Sequence, residues 1–154
     1  MSLPPAAIPP RSATGDSTIL VVEDEVLTRL VIAEYLRECG YRVHEAANAD
    51  EAVVVLETPE FIIDIVFSDV QMPGSMDGFG LARWVRTNCP GVKVVLTSGP
   101  ARSVQLAGEL CEAGPLLAKP YDPAHALDRI KQLLARASRN GSHSAGATRP
   151  AGLR

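Results

Sequence analysis

Apolar and polar positions along this chain switch repeatedly between short apolar runs and a 3.6-residue spacing. That switching predicts five strands alternating with five helices. Thr18-Ile19-Leu20-Val21-Val22 reads as the first strand. Val26 to Cys39 sets Leu27, Leu30, Val31 and Tyr35 at helical spacing, and Gly40 supplies the stop. Tyr41 to Ala46 alternates, as a strand exposed on one side does. Asn48 starts a second helix with Glu51 three residues on, the spacing of a capping box, and Pro59 closes it. Ile62, Ile63, Ile65, Val66 and Phe67 have the composition of a central strand buried on both faces. Asp69 ends that run, and Pro73-Gly74 turns the chain. Gly78 to Asn88 predicts the third helix and Val92 to Leu96 the fourth strand. A helix over Arg102 to Ala113, weakened by Gly108, and a short strand Leu116-Leu117-Ala118 follow. Asp122 as N-cap and Pro123 in the first turn open a last helix, with Leu127, Ile130 and Leu134 as its core stripe. Alternating strands and helices on short loops require an α/β architecture: a five-stranded parallel sheet covered on both faces. Right-handed crossovers wind it doubly.

The ends of the chain break the pattern. Residues 1–16, rich in Pro, Ala and Ser, predict a disordered arm, and residues 138–154 a disordered tail; residues 17–137 form one domain. A chain of 154 residues, 46% hydrophobic and 21% charged, suits a single soluble globular unit. Its net charge of −3 offers no basic face for nucleic acid, so no direct DNA binding is expected. Cys39, Cys89 and Cys111 are dispersed, which points to reduced thiols rather than a disulfide framework or zinc site. The Pro-rich start lacks a basic leader, and no apolar run approaches a membrane span. The expected location is cytoplasmic, and the tails leave no room for an output module.

The candidate chemistry lies at the strand ends. Glu23 and Asp24 follow the first strand, Asp69 the third, Thr97 and Ser98 the fourth, and Lys119-Pro120 the fifth. Parallel strands bring these ends to one edge of the sheet, where ligands of open α/β sheets collect. Clustered carboxylates raise one another's pKa unless a cation joins them, and an all-oxygen donor set selects Mg²⁺ or Mn²⁺. A lysine supplies a point charge for a phosphate and a hydroxyl donates to its oxygens. In that setting Asp69 is a candidate nucleophile for an aspartyl-phosphate.

These residues resemble the receiver domain of bacterial two-component response regulators. The resemblance runs from about Thr18 to Ala137 and rests on Val21-Val22-Glu23-Asp24-Glu25, on Ser68-Asp69-Val70-Gln71-Met72-Pro73 with Gly78, on Leu96-Thr97-Ser98-Gly99 and on Lys119-Pro120. It implies a flavodoxin-like (βα)5 fold with Asp69 as phosphoacceptor. Glu23, Asp24, Asp69 and the main-chain carbonyl of Gln71 would hold Mg²⁺. Lys119 would pair with the phosphoryl group, across a cis bond to Pro120. Ser98, which precedes the small Gly99, would be the switch hydroxyl, with Thr97 as the alternative. The resemblance further implies a phosphoprotein of signal transduction, phosphorylated in a phosphorelay by a sensor histidine kinase or a histidine phosphotransfer protein, and with tails this short it is expected to be a stand-alone receiver. Such a domain catalyses only its own phosphorylation and dephosphorylation. It passes the signal to a downstream protein, or a second copy, through the helix after the fourth strand, the fifth strand and the last helix.

Two departures bear on that picture. The loop from Met72 to Gly78 is a residue longer than the common form. The position three residues before the lysine, an aromatic in the family, is Leu116, so the signal travels through the Ser98 loop or Tyr121 takes over. Two rival readings share the architecture's chemistry. An aspartyl-phosphate phosphohydrolase needs an acid two residues after the nucleophile, where Gln71 stands. A receiver-like interaction scaffold that is never phosphorylated needs none of the acid, hydroxyl and lysine set. Trp84, His44, His125 and His143 read as packing or solvated residues.

Overall fold

In the computed structural model, residues 17–99 and 116–147 are described, with side chains over 17–99 and 117–136. The helix expected over Arg102 to Ala113, with Cys111, lies outside the described residues, as do residues 1–16. Five strands form one parallel sheet: β1 (Thr18–Val22), β2 (Arg42–Ala46), β3 (Ile65–Asp69), β4 (Lys93–Ser98) and β5 (Leu116–Ala118). Their order is β2-β1-β3-β4-β5, the order of doubly wound flavodoxin-like sheets, with a topological switch point between β1 and β3. The described helices are α1 (Val26–Glu38), α2 (Ala49–Glu57), α3 (Gly78–Asn88) and α4 (Pro123–Ala147).

Each face of the sheet carries its own core. Leu20, Val22, Val66, Val94 and Leu96 point to one side, where Ala49 and Ala52 of α2 and Leu81, Ala82 and Val85 of α3 cover them. Ile19, Val21, Ile65, Phe67, Val95 and Leu117 point to the other, against Ile32 and Leu36 of α1 and Ala126, Ile130 and Leu133 of α4. Most of these side chains are completely buried, and each large one contributes about 1.5–3 kcal/mol of transfer free energy. Trp84 packs partly buried beside the first of these clusters.

Local signals explain the element ends. Asn48 caps α2 by accepting from the Glu51 amide at 2.9 Å, while Glu51 reaches back to the Ala47 amide at 2.7 Å. Asp77 caps α3 through the Gly80 amide at 2.9 Å, and Asp122 accepts from the Ala124 amide at 3.0 Å at the start of α4. Gly40, at φ 101°, ends α1 in a conformation only glycine adopts freely.

Four expectations need correction. The central strand begins at Ile65, and Ile62 is 75% exposed. The apolar run enters the sheet late because Asp64 is used as a clasp: its Oδ2 accepts from the Thr18 amide at 2.8 Å, and its own amide donates to the Thr18 carbonyl. On α1 the expected stripe is turned outward: Leu27 is 69% and Val31 60% exposed, and Ile32, Ala33 and Leu36 make the buried face. The helix carries two apolar faces, and the sheet takes the second. β4 runs on through Thr97 and Ser98, because the Asp69–Thr97 and Ser98–Ala118 pairs extend the ladders on both sides. On α4 the fully buried positions are Ala126 and Ile130, with Leu127 and Leu134 only partly covered. The helix continues to Ala147.

Candidate functional site

Side chains alternate along a strand, so residues two apart share a face. Glu23, Asp69 and Lys119 each stand two residues beyond a residue buried against α1 and α4, namely Val21, Phe67 and Leu117. The three therefore continue the same face past the end of the core, and there they meet. Lys119 Nζ lies 3.1 Å from Asp69 Oδ2 and 3.3 Å from Glu23 Oε1. Carboxylate oxygens of Glu23, Asp24 and Asp69 all lie within 4.8 Å of one another. Glu23 and Asp69 are buried, and Asp24 opens to solvent.

Main-chain groups fix this cluster. The Glu25 amide donates to Glu23 Oε2 at 3.1 Å, and the Gln71 amide to Asp69 Oδ1 at 3.3 Å. Gly78 donates from its amide to the Val70 carbonyl at 2.7 Å, drawing α3 under the Asp69 end of β3. A Cβ at Gly78 would fall 2.3 Å from the Asp69 carbonyl oxygen, so only glycine permits this approach. The loop from Met72 to Gly78 turns at Gly74, φ 113°, and Ser75 Oγ donates to Asp50 Oδ1 of α2 at 2.6 Å.

The electrostatics follow from burial and neighbours. Burial pushes the Glu23 carboxyl above its ordinary 4.5; the Asp69 charge adds to this, while the Glu25 amide and Lys119 oppose it. Burial acts to lower the Lys119 pKa, but its hydrogen bonds and charge pairing with Asp69 and Glu23 outweigh that and raise it above 10.5. The ammonium is thus the counter-ion of a two-carboxylate pocket. Tyr121 packs edge-on against Phe67 with centroids 5.7 Å apart, and burial together with the Glu23 and Asp69 charges pushes its phenol up.

The strand-end residues singled out in the sequence fall into two groups. Glu23, Asp24, Asp69 and Lys119 come together. The Lys119–Pro120 bond is cis. Thr97 is paired in register with Asp69, whereas Ser98, buried at the last position of β4, turns its Oγ to the Gly99 carbonyl at 3.3 Å. Sequence reading overlooked Arg29, which bonds to the Glu23 carbonyl. It also missed a groove of about 600 Å³ beside the carboxylates, lined by Leu27, Val31, Ile32, Lys119, Pro120 and Tyr121 among others. The outward apolar positions of α1 were the signal for that groove.

A family model for the response regulator receiver domain matches residues 19–131. The chain is 36% identical over 122 residues to the sensor kinase CckA of Brucella abortus (strain 2308), covering 79% of this chain and 13% of the kinase. It is 31% identical over 132 residues to the transcriptional regulatory protein ResD of Bacillus subtilis (strain 168), covering 86% of this chain and 54% of that protein. The chain thus spans about half or less of these curated relatives. Among solved structures, the response regulator protein TrrA of Thermotoga maritima, in complex with Mg(2+)-BeF, matches with a TM-score of 0.65 at 27% identity, over 76% of this chain and 98% of that one.

Proposed function

The chain belongs to the response regulator receiver family, and from that premise we propose that Asp69 accepts a phosphoryl group from a phosphohistidine on a sensor kinase or phosphotransfer protein. One observation carries the reading: a buried carboxylate sits 3.1 Å from an ammonium and within 4.8 Å of two further carboxylates. An Asp69 oxygen forms the new bond to phosphorus as the bond to the donor's imidazole nitrogen breaks, and that nitrogen keeps the electron pair. Glu23, Asp24, Asp69 and the Gln71 carbonyl would hold Mg²⁺; the donor set is all oxygen, as a hard cation prefers. Bound there, the cation would neutralise charge on the phosphoryl oxygens. Lys119 is already close enough to exchange its hold on Asp69 for one on a phosphoryl oxygen. Ser98 supplies the switch hydroxyl: its 3.3 Å bond to a neighbouring carbonyl is weak enough to be traded for a charged acceptor.

The exposed apolar face of α1 bounds the groove beside Asp69. It is the surface on which a donor domain would rest while its histidine reaches the carboxylate. The relatives carry the matching segment within longer chains.

Incubation with Mg²⁺ and a small acyl-phosphate donor should add one phosphoryl group by mass. Asp69→Asn should stay unlabelled. Labelling of the Asn variant, or an unlabelled parent in Mg²⁺, would sink the reading.

A further inference from the structure

Arg29, in the second turn of α1, reaches across the loop between β1 and the helix. Its Nη1 donates to the main-chain carbonyl of Glu23 at 2.9 Å, and its Nε donates to Glu45 Oε1 of β2 at 3.1 Å. Glu45 is itself held from the other side by Arg37 Nη1, 3.1 Å from Oε2, and Arg37 also bonds the Val43 carbonyl. The Arg29 side chain is only 17% exposed. The amide of Glu23, meanwhile, donates to the Ala46 carbonyl at 3.0 Å.

The carbonyl that Arg29 grips belongs to the peptide unit joining Glu23 to Asp24. Rotation of that unit would swing both carboxylates together, and Asp24 sits in solvent where little else directs it. A planar guanidinium can satisfy a carbonyl and a carboxylate with separate N–H groups, which a lysine ammonium cannot do in the same fixed geometry. Groups that touch no cation but orient the groups that do typically change metal affinity by about 10-fold to 100-fold when removed.

We infer that Arg29, buttressed by Glu45, is a positioning residue for the divalent cation, fixing the Glu23–Asp24 peptide so that both carboxylates face Asp69. This rests on the reading of those carboxylates as cation ligands. It carries a sign that charge alone does not: a cationic side chain near the site repels a divalent ion, so by Coulomb's law its removal tightens binding. If Arg29 acts by positioning, its removal weakens binding instead.

The test is Mn²⁺ binding to the full chain by electron paramagnetic resonance, with no phosphodonor present and with near-ultraviolet circular dichroism as the check on folding. Arg29→Met is expected to weaken Mn²⁺ binding by roughly 10-fold to 100-fold. Arg29→Lys, which keeps the charge, should weaken it in the same direction. Glu45→Ala, on the edge strand, should give a smaller loss; it also removes a nearby anion, so Arg29→Lys is the deciding variant if Arg29→Met does not fold. Parental or tighter binding in the folded Arg29→Met protein, or full rescue by lysine, overturns the inference; where only Arg29→Lys folds, parental binding there overturns it. Asp24→Ala separates the two levels. If it loses Mn²⁺ while the Arg29 variants do not, only the positioning role falls; if it too keeps parental affinity, the cation reading falls and takes this inference with it.

Discussion

Replacing Lys119 with methionine removes the one cation that holds Glu23 and Asp69 together among the described residues, while keeping an unbranched chain of similar bulk. Taking one partner from a fully buried ion pair costs about 3–5 kcal/mol, because the other charge stays buried and unpaired. Here the lysine side chain is 27% exposed and the acids 7% and 8%. Solvent screening at the lysine should reduce the loss to about 2 kcal/mol. For a chain of this size that is a fall in Tm of roughly 4–8 °C, measured by circular dichroism in chelator. Mg²⁺ should offset this loss. A cation joining the same carboxylates stabilises by about 2.7 kcal/mol at 100 times its Kd, and in the variant it no longer competes with an ammonium. The gap between parent and variant should therefore shrink as Mg²⁺ is added. The pH dependence has a fixed sign too. The Lys119 pKa is raised in the folded protein, so its contribution is fully present below 10.5 and is lost only as pH climbs through the higher folded value. An unchanged metal-free Tm, or a gap that Mg²⁺ leaves as wide, would refute the assignment of Lys119 as the counter-ion.

Three other perturbations test the frame around the site. Gly78→Ala places a Cβ 2.3 Å from the Asp69 carbonyl oxygen and 2.6 Å from Val70 Cα, so backbone must move. A loss of about 3 kcal/mol or more in denaturant unfolding is expected, whereas Gly91→Ala, with nothing within 4 Å, should change stability little. Asp64→Ala leaves the Thr18 amide without its side-chain acceptor and should cost about 1–3 kcal/mol by the same measurement. In the metal-free protein the raised Glu23 pKa means the folded state holds more protons than the unfolded one above pH 4.5. Stability should fall as pH rises from there through the folded value and then level off, and Glu23→Gln should abolish that slope.

Much of this was readable from the sequence because the relevant signals are local. The bounds of β1 and α3 follow from an apolar run and from an Asp-Gly start before a helical stripe, and the Asn48–Glu51 cap follows from spacing alone. What was misread depends on tertiary choice. Periodicity found an apolar stripe on α1, yet Val26, Leu27, Leu30 and Val31 face outward while Ile32, Ala33 and Leu36 meet the sheet. A 3.6-residue period reports that a face is apolar; with two such faces it does not say which one the sheet covers. Ile62 was drawn into β3 by the same limit, since composition cannot show that Asp64 is taken by Thr18. Arg29 and Glu45 lie 16 residues apart, and their contact depends on how α1 crosses β2, which no local pattern encodes.

The convergence itself rests on a parity that the sequence does hold. In a parallel sheet the strand ends share an edge, and side chains that continue the same face past that edge meet most directly. Val21 to Glu23, Phe67 to Asp69 and Leu117 to Lys119 are each a step of two from a side chain buried under α1 and α4. Asp24, one residue on from Glu23 and past the end of β1, joins the same cluster from the solvent side. The face that gathers the charges is also the face whose helix α1 turns apolar residues outward beside them. A partner seated there therefore meets the carboxylate pocket at its edge.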